Sequence, residues 1–153
     1  MTDTHGADDA RTPPPATGSP DRAADALPLD LDGTLLERMG IELGELTAAR
    51  ATGRMPVAGN TQPAGLLHGG ASVVLAETLG SIAAQLHGGR TRAAVGIEIN
   101  ATHHRAVRQG WVHGEARALH TGRTTVSYEI VVSDDDGRRV CTARLTCMLL
   151  DVP

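Results

Sequence analysis

The sequence predicts an α+β domain in which a mainly antiparallel sheet curls around one long central helix. Two stretches carry that expectation. From Leu66 to Leu86 the sole Asp, Glu, Lys or Arg is Glu77, so a helix-length segment is apolar nearly all round and belongs inside a protein. After Gly88-Gly89 come four strand-like runs, over roughly Ala93–His104, Trp111–His120, Thr124–Ser133 and Arg138–Leu150. Asp134-Asp135-Asp136-Gly137 is a hairpin signal between the last two.

In chain order, residues 1–28 are rich in Asp, Ala, Pro and Thr, with Pro13-Pro14-Pro15 in the middle; such a composition predicts a disordered tail. The folded domain is expected over 29–153, since 153 residues suit one domain. The tail lacks the basic start and apolar run of a signal peptide, and no later stretch reads as a membrane span, so a cytoplasmic protein is expected. Leu29–Gly40 reads as a short helix closed by Gly40, followed by extended runs over Ile41–Thr47 and Ala49–Val57. Phe is absent and Trp and Tyr occur once each, so the core must be aliphatic.

The net charge is −4, and all fourteen basic residues are arginine. That balance gives no general basic footprint for nucleic acid or a membrane surface. Cys141 and Cys147 share one expected strand, about 20 Å apart, and cannot pair with each other. The seven histidines show no zinc spacing, and no metal is expected.

On a helical wheel Leu75, Leu79, Ile82 and Leu86 gather on a broad stripe suited to a sheet. Gly70, Val73, Glu77, Gly80, Ser81 and Ala84 form a narrow opposite face of mostly small residues, which would let a ligand or another backbone approach the carboxylate. Two readings stand for Glu77: a solvated surface charge, or a functional group on a face whose other polar member is Ser81, one turn away. The helix start is expected at His68 or Gly69, after a loop with Pro63 and Gly65. No Ser, Thr, Asp or Asn stands there to cap it, so its first N–H groups should be free to stabilise an oxygen gaining negative charge.

Gly69 and Glu77 are eight residues apart, roughly 12 Å along a helix. One chain cannot readily bring both to the same reacting carbon, whereas two antiparallel copies side by side can.

Alternation over the first of the four strands places Val95, Ile97, Ile99, Ala101, His103 and Arg105 on one face, so an apolar row ends in two polar groups. Either they line a site, or they leave the sheet edge for water. His120-Thr121-Gly122-Arg123-Thr124 reads as a turn; Arg123 is either a solvated charge or a phosphate fork.

Gln62, His68-Gly69-Gly70-Ala71, Leu75-Ala76-Glu77 and Gly80-Ser81 together resemble the signature of hotdog-fold acyl-CoA thioesterases of the phenylacetate-degradation and 4-hydroxybenzoyl-CoA type. The resemblance is nearest to the subgroup with the enterobactin proofreading and 1,4-dihydroxy-2-naphthoyl-CoA thioesterases. It extends through Gly96-Ile97-Glu98-Ile99-Asn100, His103, Arg105 and Gly122-Arg123, and covers about residues 30 to 150.

It implies hydrolysis of an acyl thioester, with an aromatic or hydroxyaromatic acyl group on coenzyme A or on a carrier protein. Glu77 would be nucleophile or general base, with the Gly69 N–H on the thioester oxygen. Gln62 and His68 would orient carbonyl or water, and Ser81 would support Glu77 or the water. Substrate contacts are implied at Gly96, His103, His104 and Arg105, and along His120, Thr121, Gly122, Arg123 and Thr124. No cofactor is implied, coenzyme A being part of the substrate, and the expected assembly is a homodimer or a dimer of dimers. Two alternatives differ in residues. A non-catalytic acyl-CoA-binding module or sensor would not need Glu77, Gln62 and Ser81, and a hydratase would call for His with Asp at the helix entrance.

Overall fold

Six strands and one long helix account for most of the residues 29–152 that the computed structural model describes. The expected tail, residues 1–28, lies outside them. In chain order the elements are α1 (Leu35–Arg38), β1 (Glu42–Leu46), β2 (Arg50–Pro56), α2 (Gly69–Gly88), β3 (Arg92–His103), β4 (Trp111–Thr121), β5 (Thr125–Asp134) and β6 (Arg139–Asp151). The sheet order is β1-β2-β4-β5-β6-β3, with every neighbouring pair antiparallel. The chain leaves β2, crosses the sheet face through α2, and returns as β3 at the far edge.

The first helix is one turn, not the longer element expected over Leu29–Gly40. Thr34 caps it, and Glu37 reaches back to the Gly33 N–H, so the capping residues hold the helix to the segment after Gly33. Gly40, at φ 65°, ends it as expected.

Helix α2 lies in the concave face of the sheet. Ala71, Leu75, Ala76, Leu79, Gly80, Ala83 and Ala84 are buried, whereas Ile82 and Leu86 are only half-buried. The packed face is therefore rotated from the stripe read on the wheel. Small side chains win because the sheet wraps closely: a methyl group at Gly80 would stand 2.5 Å from Leu145 Cδ2. Gly80 and Ala84, assigned by the wheel to the open face, pack on the sheet instead.

Gly53 and Gly114 are register partners in β2 and β4, and together they make room for Leu79. A methyl at Gly114 would lie 2.6 Å from Leu79 Cδ1, and one at Gly53 3.1 Å from Leu79 Cδ2. Full burial of Leu79 there stabilises the fold by about 1.5–3 kcal/mol. The core is aliphatic apart from Tyr128, whose hydroxyl donates to Ala48 O at 2.8 Å. Burial pushes that phenol up to about 12, so it stays a neutral donor.

Gln85 fixes the end of α2 to the start of β3. Its Nε2 donates to Gly89 O at 3.0 Å and Arg92 O at 2.8 Å, and its Oε1 accepts from the Ala94 N–H at 3.0 Å. Gly89, at φ 67°, turns the chain between them.

Strand β3 corrects the alternation read from sequence. The register with β6 slips between Gly96 and Glu98, so Ile97 is the extra residue of a bulge. Beyond it Ile99, Ala101 and His103 pair with Leu145, Ala143 and Cys141, all core-facing. Before it the core-facing position is Gly96, opposite Cys147. Val95 pairs with Met148 on the outer face, and Val95 and Ile97 are both exposed.

Candidate active site

The helix start is built by its preceding loop. Leu67 N–H donates to Val107 O at 2.7 Å and His68 N–H to Asn60 O at 2.9 Å. The Asn60 side chain in turn donates to Met39 O and Pro56 O, each at 2.9 Å. Gly65, at φ 71°, closes the turn through its N–H to Gln62 O. His68 is thereby held at the N-cap in extended conformation.

His68 does what no Ser, Thr, Asp or Asn is present to do: its Nδ1 accepts the Gly70 N–H at 2.8 Å. The expectation of an uncapped start is corrected to that extent. The Ala71 and Ser72 N–H groups go back to His68 O. Among the described residues the Gly69 N–H alone of the first turn has no acceptor. A single donor, at the positive end of a 20-residue helix, is left for a ligand.

The His103 imidazole stands over it. A methyl group at Gly69 would be 2.9 Å from His103 Nε2, so only glycine lets the two approach this closely. The end of β3 and the loop at Gln62 complete a cavity of about 360 Å³, whose walls include Gln62, Gly69, Ser72, His103, His104 and Arg105. Five residues singled out from the sequence thus meet in one place. His104 also bonds Thr142 Oγ1 through Nε2, at 2.9 Å.

Glu77 is not in that cavity. Two turns further along α2, half-buried, its Oε1 accepts from Ser81 Oγ at 3.1 Å. The carboxylate lies against Gly96: a methyl there would stand 2.6 Å from Glu77 Oε1. Cys147, the register partner of Gly96, sits behind this group, and burial followed by the Glu77 charge pushes its thiol up. The bulge at Ile97 is what lets Gly96 face the carboxylate while Ile99 and Ala101 still face the core.

The third group lies at the other end of α2. Thr121, Gly122 and Arg123 line a cavity of about 390 Å³ with His87, Gly88, Thr91 and Arg92. His87 Nε2 is 3.1 Å from Gly122 O, and Arg92 donates to Arg123 O. Gly122 is required here, since a methyl would lie 2.8 Å from Thr125 O. Within one chain this turn does not join His103 and Arg105, for the two cavities are at opposite ends of a helix about 30 Å long. His87 and Arg92 were not distinguished by sequence; their signal is the basic last turn of α2 and the first residue of the strand behind it.

A further concavity, about 680 Å³, is elsewhere, on the outer sheet face around Arg54, His113, Glu115 and Glu129. Several of its charges already partner one another or neighbouring charges: Arg50 and Arg117 hold Glu115, and Glu42 holds Arg54. The Arg50 hydrogen bond lowers the Glu115 carboxyl.

Residues 64–141 match the family model described as the thioesterase superfamily. The match runs from the loop before α2 to the start of β6, and so takes in Gly69, Glu77, Gly96, His103 and Gly122.

The chain belongs to the thioesterase superfamily.

Relatives of this thioesterase agree. It is 50% identical over 126 residues to the proofreading thioesterase EntH of Klebsiella pneumoniae, covering 82% of this chain and 92% of that one. It is 48% identical over 124 residues to the putative esterase ComA2 of Bacillus subtilis, covering 80% and 98%. Among solved structures, a mutant of thioesterase PA1618 from Pseudomonas aeruginosa superposes with a TM-score of 0.76 at 38% identity, covering 90% of this chain and 97% of that one. Thioesterase HI1161 from Haemophilus influenzae gives 0.76 at 34% identity, over 79% and 85%. The fold is the hotdog, with α2 as the enclosed helix, and the enzyme is a thioester hydrolase. The resemblance to the enterobactin proofreading subgroup is borne out by the EntH identity.

Proposed function

We propose that this thioesterase hydrolyses an aromatic or hydroxyaromatic acyl thioester of coenzyme A, or the same acyl group on a carrier protein, at a site shared by two copies of the chain. The observation that carries this reading is the separation of two half-sites on α2. Gly69 N–H, Gln62 and His103 surround one cavity, while Glu77 and Ser81 stand outside it. Side chain and helix start cannot converge within one chain, since about 12 Å of helix separates them. A second copy packed antiparallel supplies the missing half to each.

The exposed edge supports the same assembly. β3 is twelve residues long, has β6 on one side and, among the described residues, no strand on the other, and exposes Val95 and Ile97. Such an edge is a template for pairing with another strand. Two-fold pairing of β3 with its own copy brings the two α2 helices side by side and antiparallel. The unit is then a homodimer, or a dimer of dimers.

In the composite site, the thioester oxygen accepts the Gly69 N–H at the helix start, and the growing negative charge is stabilised there. Gln62 and His68 orient the carbonyl or the water. As a general base, Glu77 takes a proton from water as its oxygen bonds to the acyl carbon. As a nucleophile, it bonds to that carbon itself and water then cleaves the anhydride. Either way the C–S bond breaks, the thiol leaves, and the free acid remains. Ser81 holds the carboxylate. His103, His104 and Arg105 contact the substrate near the thioester, and the turn from His120 to Thr124, with Arg123, takes the pantetheine and nucleotide part. No cofactor is needed, and the cytoplasm, with its coenzyme A pool, is the compartment this reading assigns.

The test is a panel of aliphatic, aromatic and hydroxyaromatic acyl-CoA substrates, with free coenzyme A followed by a thiol reagent. The aromatic members are expected to give the highest kcat/KM. Release from aliphatic members alone would overturn the assignment of acyl class.

A further inference from the structure

We infer that Gln85 is a positioning residue that sets the register in which two copies of the chain join along β3, and so aligns the helix start of one copy with Glu77 of the other. This rests on the shared-site reading above and deepens it, from the pairing to its register. The outer edge of β3 is not uniform. Thr91 O accepts from Val152 N–H on the β6 side at 3.1 Å, so by the alternation of an antiparallel strand Arg92 and Ala94 turn their backbone groups to the opposite, outer side. Gln85 meets them there. Its Nε2 donates to Arg92 O at 2.8 Å, and its Oε1 accepts from Ala94 N–H at 3.0 Å. One side-chain amide thus makes the two bonds that the backbone of a neighbouring strand would make. A further bond from Nε2 to Gly89 O, at 3.0 Å, holds the amide in place.

The first part of the edge is therefore closed. Pairing is confined to the stretch from Gly96 to His103, beside which, among the described residues, no strand lies. The two ends of that stretch are the two half-sites: Gly96 lies against Glu77, and His103 over Gly69. A two-fold pairing that sets His103 of one copy opposite Gly96 of the other brings the halves together. Because of the bulge, Gly96 and Ile97 together span one strand position. Glu98 to Thr102 then lie between the ends, and the two-fold axis falls at Asn100. Past Gly96 the partner's chain has gone beyond His103, the last residue of its strand, so the Gln85 amide covers the part of the edge that the partner does not reach. Without it, Arg92 and Ala94 would offer more edge to pair with. A slide of two residues, about 7 Å, would keep every side chain on its proper face while drawing Gly69 of one copy away from Glu77 of the other.

The experiment places one added cysteine at Asn100, or at Glu98 as a control, in the full chain with Gln85 native or changed by Gln85→Ala. Disulfide cross-linking between chains under diamide, sedimentation and kcat are measured; Cys141 and Cys147 are fully buried, and the chain without an added cysteine gives the background. With native Gln85, Asn100→Cys is expected to cross-link at least about fivefold more than Glu98→Cys. Opposed residues stand about 5 Å apart at Cα, within disulfide reach, whereas the two Glu98 positions are about 13 Å apart. Gln85→Ala is expected to remain dimeric, to cut the Asn100 cross-link at least about threefold and to lower kcat at least about tenfold, since the reacting groups no longer meet. A cross-link and kcat unchanged in Gln85→Ala would overturn the proposal even if Tm falls, for that would mark a staple within one chain. A fall to monomers would also overturn it, because the cap limits the pairing rather than making it. If Gln85→Ala does not fold, the cysteines beside native Gln85 still decide: a cross-link at Asn100 no stronger than at Glu98 refutes the register. Mixing inactive Glu77→Ala and Gly69→Pro chains tests the shared site by itself. No recovery of activity there removes both readings, whereas recovery without an Asn100 cross-link removes the register alone.

Discussion

Replacing Glu77 with alanine is expected to lower turnover at least about a hundredfold while leaving the fold intact. A positioned acid, base or nucleophile contributes on that scale or more. The fold should tolerate the change because the carboxylate is half-buried and, among the described residues, its one hydrogen bond is from Ser81. Alanine is also the best helix former, so α2 loses nothing in propensity. Glu77→Asp is expected to fall between the two, since it keeps the charge and shortens its reach by one methylene. Steady-state kinetics with a thermal melt checks this. A kcat near the native value in the alanine variant would remove Glu77 from the mechanism.

Gly96→Ala is expected to lower kcat by about tenfold to a hundredfold with little change in Tm. The added methyl would stand 2.6 Å from Glu77 Oε1, and the nearest atom outside Glu77 and the adjoining residues, Leu145 Cδ1, is at an ordinary 3.7 Å. The atom that must yield is the tip of a flexible side chain, so the conflict is relieved by swinging the carboxylate away rather than by deforming the sheet. A displacement of about 1 Å at a reacting group costs on the order of a hundredfold. Gly96 is not at positive φ, so alanine brings no backbone strain. An unaltered kcat would show that Glu77 does not work from the position it holds beside β3.

The central helix and four later strands were legible because their signals are local and long. One charge in twenty-one residues marks α2, and β3 to β6 begin and end within one residue of their expected bounds. The phase of β3 was not legible, because a bulge is set by the strand it pairs with; one extra residue at Ile97 sends Val95 to the outer face. The rotation of α2 was missed for a related reason. A wheel ranks faces by side-chain size, whereas a sheet that wraps the helix selects small residues such as Gly80 and Ala84 for the closest contact. At the site, Gln62, Gly69, His103, His104 and Arg105 are singled out by type and meet in one cavity. His68 as a cap was hidden because imidazole is not among the usual capping groups. His87 was hidden because a histidine at a helix end has an ordinary explanation until its surroundings are known.

The most direct measurement of the shared site mixes two inactive variants, Glu77→Ala in one and Gln62→Ala with Gly69→Pro in the other. Proline removes the N–H at the first helical position, where it is well tolerated. His68 already has φ −67° and ψ 131°, the extended conformation required before proline. The new ring crowds His103, which belongs to the half-site being disabled. In each mixed dimer one site then combines an intact helix start with an intact Glu77, and the other has neither. Random reassortment makes half the dimers mixed, so about a quarter of native activity is expected to return. No recovery from dimers verified as mixed would contradict the account, for it would mean that each site is built within a single chain.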